Sequence, residues 1–376
     1  MSPFKDVPTL AHAHSMPANS TPVKQHMPAA HRLDYTSSPK SHPVPGSPLS
    51  YPNSPKHMQG QSPSKPPSVS RMIAVAPFCP PQMRRLESWT LKDYALVKEI
   101  GAGAASVVYH AFCRKSAIPV ALKIYKKRKL GILNMRQVER EIQIHIQIQH
   151  ANVVDLYGAF EDESRIYLVM QYAAGGDLFD ELRRLGGRMS EQETVCTVLV
   201  PFLRAMSHLH ERGIVHRDIK PENTLFDQNR ILKIADFGLS INSIEERPVT
   251  RLGTLDYMAP EVLVCPDKKH PDENKGNVSL AYGGEVDAWG VGVLTYELLI
   301  GRPPFAMAVR DSTMDAIMTK DPRFPSWMSE GAKDFVRRAL EKVRAHSLTR
   351  LPIYQPTWSP SSHSCALSCD RSQRFP

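Results

Sequence analysis

The chain of 376 residues lacks the features that mark several classes of protein. No apolar run is long enough to span a membrane, since the best candidate, 291–300, is interrupted by Thr295 and Glu297. The N-terminus has no apolar signal core, so we expect no secretory leader. The six cysteines form no C-x-x-C pair and no zinc-like spacing with histidine, which predicts reduced thiols in a protein of the cytoplasm or nucleus.

Acidic residues are scarce at the start of the chain. Residues 1–88 carry three acids against nine basic residues, which gives +6 of the net charge of +9. The basic residues are scattered and Pro and Ser dominate, so we interpret 1–88 as a disordered, solvated region that binds neither nucleic acid nor membranes directly. Ser-Pro pairs occur at Ser38, Ser47, Ser54 and Ser62. They are either targets of proline-directed kinases or a simple product of this composition.

A different pattern begins at Trp89. Short apolar runs predict strands, at 94–100, 106–112, 120–125, 153–160 and 165–172. Apolar residues spaced four apart predict a helix over 134–147. Further helical patterns lie at 177–185, at 191–210 with an interruption at Pro201, and at 286–300. We therefore predict an α+β fold in which a small β-rich lobe is followed by a larger helical lobe.

A glycine-containing loop, I-G-A-G-A-A-S-V-V, spans 100–108 between two predicted strands. Gly101 and Gly103 would let backbone N–H groups approach phosphates closely. Such a loop alone favours no function. Lys123 follows in the apolar strand V-A-L-K, where an unpartnered ammonium would be costly to bury. This cost predicts an acidic neighbour, for which Glu141 and Glu139 on the next helix are the candidates.

Two complete motifs carry the strongest signal: H-R-D-I-K-P-E-N at 216–223 and A-D-F-G at 235–238. Asp218 can orient a substrate hydroxyl and accept its proton. Asn223 and Asp236 offer hard oxygen ligands for Mg²⁺. Lys220 can neutralise charge on a phosphoryl group in transfer. A chance occurrence of both motifs in this order is very improbable.

These motifs resemble those of eukaryotic protein kinases, over residues 89–342. The resemblance implies the two-lobed kinase fold, ATP and Mg²⁺ as cofactors, and proteins with Ser or Thr as substrates. It implies catalytic roles for Asp218, Lys220, Lys123 and Glu141, the last at its usual distance before His150, and metal binding by Asn223 and Asp236. It also implies a set of ATP contacts: Ile100, Gly101, Ala102, Gly103, Ala104, Ala105, Ser106, Val107, Val108, Ala121, Lys123, Gln171, Ala173, Asp177 and Leu225. Ser106 stands where the family pattern has its third glycine.

Smaller signs are similar to the Aurora branch of serine/threonine kinases. They are W-x-L-x-D-Y at 89–94, G-T-L-D-Y at 253–257 and the polar His145, although Leu239 replaces the Trp of animal Auroras. The branch implies a role in cell-cycle, spindle or cytoskeletal (including ciliary) regulation, with association to those structures and an activating protein on the N-lobe. It places an activating phosphothreonine at Thr250, with Arg217 as its partner.

Three residues are expected to select the substrate: Thr254, Glu222 and Asp177. Thr254, together with Lys220, is typical of serine/threonine rather than tyrosine kinases. Glu222 and Asp177 could both face the residues before the target, as acids do in basophilic kinases, which predicts a preference for Arg two or three residues before the phosphorylated Ser or Thr.

Two departures from the family pattern leave an alternative open. Residues 264–285 are long and polar, which we interpret as a surface insertion. After Lys342 the expected Arg partner of Glu261 is missing, with Arg344 and Arg350 as the candidates to replace it, and we predict an atypical, disordered tail at 343–376. The alternative to an active enzyme is therefore a folded but impaired kinase-like scaffold.

Overall fold

A computed structural model describes residues 70–85 and 88–342 of the chain. Residues 71–171 form one six-stranded antiparallel sheet with a single long helix. The residues that follow, up to 342, are mainly helical. The predicted α+β fold with a small β-rich lobe and a larger helical lobe is confirmed.

The strands of the small lobe pair in the order β1-β5-β6-β4-β3-β2. They are β1 (Arg71–Val75), β2 (Tyr94–Ala102), β3 (Ser106–Cys113), β4 (Pro119–Lys126), β5 (Leu156–Glu161) and β6 (Arg165–Gln171). Helix α1 (Ile132–His145) covers one face of the sheet, where Val138 and Ile142 pack against Leu168 and its neighbours. The opposite face packs around Trp89 and Phe160. Alternation along each strand therefore supplies two apolar layers.

Strand β1 corrects the prediction that 1–88 is disordered, which is wrong for 70–85. β1 pairs antiparallel with β5, from Arg71 opposite Glu161 to Val75 opposite Gly158. Ala76, Cys79 and Met83, which follow it, are buried around Trp89. The Pro and Ser content of residues 1–88, taken as a whole, obscured this short apolar stretch. Its apolar side chains gain from burial, and its backbone groups are hydrogen-bonded to the edge of the sheet. The remaining residues of this prediction, 1–69 and 86–87, lie outside the described ones.

Gly158 shows how closely β1 and Trp89 pack against β5. A Cβ atom there would lie 2.8 Å from the Trp89 ring and 2.9 Å from the carbonyl oxygen of Ala74. Any larger residue would push β1 or Trp89 away from β5. Glycine at this position is therefore required by the approach of the two layers.

Helices form most of the large lobe. They are α2 (Leu178–Arg184), α3 (Glu191–Glu193), α4 (Val200–His210), α5 (Pro260–Leu263), α6 (Glu285–Ile300), α7 (Arg310–Thr319) and α8 (Glu330–Ala339). Short strands complete it: β7 (Ile214–Val215), β8 (Thr224–Phe226), β9 (Leu232–Ile234) and β10 (Ile241–Asn242). Helix α6 is buried along most of its length, as expected from its apolar sequence.

The helical stretch 191–210 is continuous despite Pro201. A π-helical turn (Thr194–Leu199) joins α3 to α4, and the N–H of Val200 bonds back to the carbonyl of Val195. Pro201 then occupies the first turn of α4, where its missing N–H breaks no regular helical bond. The predicted interruption is thus a local widening of one helix.

The polar segment 264–285 lies mostly at the surface but is anchored at several points. Cys265 and Tyr282 are buried in the core of the large lobe. Arg251 pairs with Asp267. Glu261, at the start of α5, is half-buried, and Arg344, Arg350 and the tail 343–376 lie outside the described residues.

Three cysteines match their prediction. Cys79, Cys113 and Cys265 are free and buried. For Cys196, half-buried in the π-helical turn, the reduced thiol stays a prediction, and Cys365 and Cys369 lie outside the described residues. Within 70–85 and 88–342, no helix is long and apolar enough to cross a membrane.

Candidate active site

The glycine-containing loop is the turn between β2 and β3. The strands stay paired to Ala102 opposite Val107, and the N–H of Gly103 donates to the carbonyl of Ser106 at 2.9 Å. A Cβ atom at Gly103 would lie 3.0 Å from the hydroxyl oxygen of Ser106. Ala102, Gly103 and Ala104 are exposed, so their backbone groups are open to a phosphate chain. Ile100, Gly101, Ala105, Val107 and Val108 belong to or adjoin these strands.

Lys123 has two carboxylate partners. Its Nζ donates to Oε1 of Glu141 at 2.8 Å and to Oδ1 of Asp236 at 2.8 Å. Glu139 has a side chain that is 52% exposed and lies 3.9 Å from Arg136. The buried Glu141, on the face of α1 that meets β4, is therefore the acidic neighbour that the sequence required.

Attraction between the charges of Lys123, Glu141 and Asp236 offsets the cost of burying them. Burial alone would lower the pKa of the Lys123 ammonium, but the carboxylates of Glu141 and Asp236 raise it well above its usual value. The ammonium in turn lowers the pKa of Asp236. Burial raises the pKa of Glu141, an effect that Lys123 opposes. Lys123 is therefore a permanent cation near the glycine-containing loop.

Three polar groups surround the carboxylate of Asp218, two of them from the run 216–223 and the third from Thr254. Lys220 Nζ donates to its Oδ2 at 2.7 Å, and Asn223 Nδ2 donates to the same oxygen at 2.9 Å. The hydroxyl of Thr254 donates to Oδ1 at 3.0 Å and accepts from Lys220 at 3.2 Å. Asp218, Lys220 and Thr254 thus form one connected group at the mouth of the cleft, which can orient an incoming hydroxyl.

Asn223 and Asp236 are suited to a divalent cation. The Nδ2 of Asn223 is used by Asp218, which leaves its amide oxygen for a ligand. The side chain of Asp236 is 46% exposed. The N–H of Ala235 donates to the carbonyl of Asn223 at 2.9 Å, so the two oxygen donors lie on neighbouring segments. Hard oxygen donors of this kind fit Mg²⁺.

Asp287 on α6 holds the catalytic run from below. Its carboxylate accepts from the backbone N–H groups of His216 and Arg217, each at 2.8 Å, and contacts His210 at 2.8 Å. Burial disfavours its charge, but the hydrogen bond with His210 and the neighbouring groups lower the pKa of Asp287 overall. Arg217 has a left-handed backbone, with φ of 70°, which these bonds help to fix.

The predicted nucleotide-facing residues lie where the two lobes meet. Ala121 pairs with Met170 in the sheet, and Gln171 ends β6. Gln171 and Ala173 are half-buried, as is Leu225 on β8. Asp177 bridges to Leu225 and caps α2 by accepting from the N–H of Asp180. β8 is thus joined through Asp177 to the segment that follows β6, and β6 pairs with the strand that carries Ala121.

Thr250 and Arg217 are connected through a third residue. Arg217 donates to the carbonyl of Leu239 at 2.6 Å and to the hydroxyl of Tyr282 at 3.1 Å. Tyr282 in turn donates to the carbonyl of Thr250 at 2.8 Å. A cavity of about 330 Å³ adjoins Thr250 and carries six basic side chains: Arg136, Arg140, Arg217, Arg247, Arg251 and Lys268.

An acidic cluster, formed by Glu222, Asp256 and Glu297, was not predicted from the sequence. Tyr257 donates a hydrogen bond to Glu297 on α6. Burial raises the pKa of Glu297, and the nearby carboxylates of Glu222 and Asp256 add to this effect. Asp177 is not part of this cluster. The spacing of Glu297 within an apolar helix was a usable signal, because a lone acid on a buried helix requires a reason.

Comparison with known protein families matches residues 94–359 to the protein kinase domain, which extends past the predicted boundary at 342. Aurora kinase C of Mus musculus is 33% identical over 290 residues, which cover 77% of this chain and 99% of the relative. Two Xenopus laevis proteins are also similar. Aurora kinase A-A is 33% identical over 82% of this chain and 73% of its own, and Aurora kinase B-A is 36% identical over 78% and 77%. Together with the site geometry, these matches show that the chain belongs to the protein kinase family, as a serine/threonine kinase of the Aurora branch.

Proposed function

We propose that the cleft described above transfers the γ-phosphate of ATP to Ser or Thr in proteins that act in cell-cycle, spindle or cytoskeletal (including ciliary) regulation. The observation that carries the catalytic part is the connection between two hydrogen-bonded groups, Lys123 with Glu141 and Asp236, and Asp218 with Lys220 and Thr254. Asn223 joins them, since its side chain bonds Asp218 and its carbonyl accepts from Ala235, next to Asp236. The likeness to Aurora kinases supports the cellular role.

Each residue has a distinct part in the proposed mechanism. The backbone of 100–108 covers the phosphates, and Lys123 binds the α- and β-phosphates. Asp218 accepts the proton of the attacking hydroxyl, while Lys220 neutralises charge that develops on the transferred group. Asn223 and Asp236 would hold Mg²⁺, which when bound neutralises charge on the β- and γ-phosphates.

Phosphotransfer by the full chain, with Asp218→Asn as the test variant, decides the mechanism. Asp218 acts on the hydroxyl and not on the nucleotide, so we expect this variant to lose activity by at least about 10³-fold and still bind Mg·ATP. Asn229→Asp, a change of similar size on the exposed β8–β9 turn, is the matched control and should stay active. Wild-type turnover by Asp218→Asn would overturn the assignment. An impaired scaffold is not favoured, because the polar residues proposed for catalysis are present and hydrogen-bonded to one another: Lys123, Glu141, Asp236, Asp218, Lys220 and Asn223.

We also propose that the acidic cluster selects basic substrates. Glu222 is exposed, and both it and the half-buried Asp256 lie within electrostatic reach of the half-buried Glu297, on segments next in sequence to Asp218 and Thr254. Three carboxylates at one end of the substrate region favour guanidinium groups. Arg before the target residue is the expected preference.

A third proposal concerns regulation by phosphate at Thr250. A phosphate adds about −1.5 to −2 charge and three acceptor oxygens. The six basic side chains at the adjoining cavity could bind it, including Arg217 beside Asp218. Arg247, three residues before Thr250, fits the basic preference, so one molecule could modify another. Activation by a separate protein bound to the N-lobe is a further expectation of the Aurora branch, on a lobe whose β5 edge is already covered by β1.

A further inference from the structure

Tyr125 makes a buried contact with the catalytic ion pair that no kinase motif specifies. Its hydroxyl donates to Oε2 of Glu141 at 2.6 Å, while Oε1 of the same carboxylate accepts from Lys123. Lys123 and Tyr125 are two residues apart in β4, so both side chains project towards α1. The carboxylate of Glu141 is therefore held by two donors from one strand.

We propose that Tyr125 is a positioning residue for phosphotransfer, whose hydroxyl holds the Glu141 carboxylate in the orientation in which it contacts Lys123. The inference rests on the catalytic role proposed above for the Lys123–Glu141 pair.

The need for a second donor follows from burial. Glu141 is only 1% exposed, so its carboxylate is oriented by protein donors and not by bulk water. The groups that face it are Lys123 and Tyr125 from β4 and Asp236 after β9. Lys123 is shared with Asp236, and the phosphates of a nucleotide would also compete for it. The Tyr125 hydroxyl has one proton, which it donates to Glu141, so this hydrogen bond is not divided in this way.

The hydroxyl can be removed without disturbing the packing of the ring. Tyr125 packs in the layer between α1 and the sheet, with Val138, Ile142 and Ile166. Burial raises the pKa of Tyr125 far above the range of an enzyme assay, so its hydroxyl remains a donor throughout. Tyr125→Phe keeps the ring in this layer and deletes the donor alone.

The test compares Tyr125→Phe with the full wild-type chain in steady-state kinetics at neutral pH. We expect kcat/KM for ATP to fall roughly tenfold, as for loss of one charge-assisted hydrogen bond. Mg·ATP affinity, measured without turnover, should fall in parallel, because Lys123 would be held less well for the phosphates. An inactive wild type would count against phosphotransfer alone.

Tyr167→Phe is the matched control. Tyr167 is buried in the same sheet, and its hydroxyl also donates to a carboxylate at 2.6 Å, that of Asp162, away from the cleft. Its kcat/KM for ATP and its Mg·ATP affinity should match the wild type. In a Glu141→Gln background, Tyr125→Phe should cause little further loss, because the two residues act through one contact. Unchanged kinetics and affinity in Tyr125→Phe, or a full additional loss in that background, would overturn the proposal.

Discussion

Two glutamates on one helix show what single residues in the sequence could and could not reveal. The cost of burying Lys123 predicted an acidic neighbour, yet spacing alone left Glu141 and Glu139 open. The structure separates them, since Glu141 lies under β4 and Glu139 projects outward. Tyr125 and Glu297 were missed because neither belongs to a motif, and their importance depends on contacts across the fold.

Glu222 provides a test of substrate selection at the residue scale. Glu222→Gln should lower kcat/KM by about tenfold for a peptide with Arg two residues before its Ser, because one carboxylate of the acidic cluster is lost. The same peptide with Ala in place of Arg should be unaffected. Glu211→Gln, an exposed carboxylate at the end of α4 that bonds Ser207, is the control. Equal discrimination by wild type and Glu222→Gln would leave the cluster without a role in selection.

Elements of secondary structure were predicted well where their periodicity is local. The strands over 94–126 and helix α6 follow their apolar patterns closely. The strand expected from 153 begins at Leu156, and β1 was not expected at all. β1 is stabilised by pairing with residues far along the chain, and such pairing leaves no periodic signal in five residues.

The activation segment around Thr250 carries a prediction at the scale of one element. Thr250→Ala should reduce kcat by about 10- to 100-fold, because the basic side chains at the adjoining cavity would lack the phosphate that orders the segment. Phosphopeptide mapping of the active protein should find Thr250 modified. Thr319→Ala, on the exposed end of α7, is the control and should keep full activity. Full activity in Thr250→Ala would contradict the switch.

The molecule as a whole should respond to its nucleotide in thermal unfolding. The cleft is built from both lobes, so Mg·ATP binds only the folded chain and stabilises it by mass action. We expect a low midpoint without ligand and a rise of about 5–10 °C at a Mg·ATP concentration 100 times Kd.

Asp236→Asn sharpens this measurement, because it weakens the proposed cation site and the contact with Lys123 while keeping the side-chain size. The rise in unfolding midpoint that Mg·ATP causes should be much smaller in this variant than in the wild type. A high midpoint that does not depend on nucleotide would show that the lobes are stable without help from the cleft.

The pairing of β1 with β5 has a consequence for the order of folding during synthesis. Arg71 meets Glu161 across 90 residues of chain, so β1 has no partner strand until β5 has left the ribosome. Until then the apolar side chains of Ala76, Met83 and Trp89 have no surface on which to pack. The segment that begins the described structure is thus among the last parts of the small lobe to be completed.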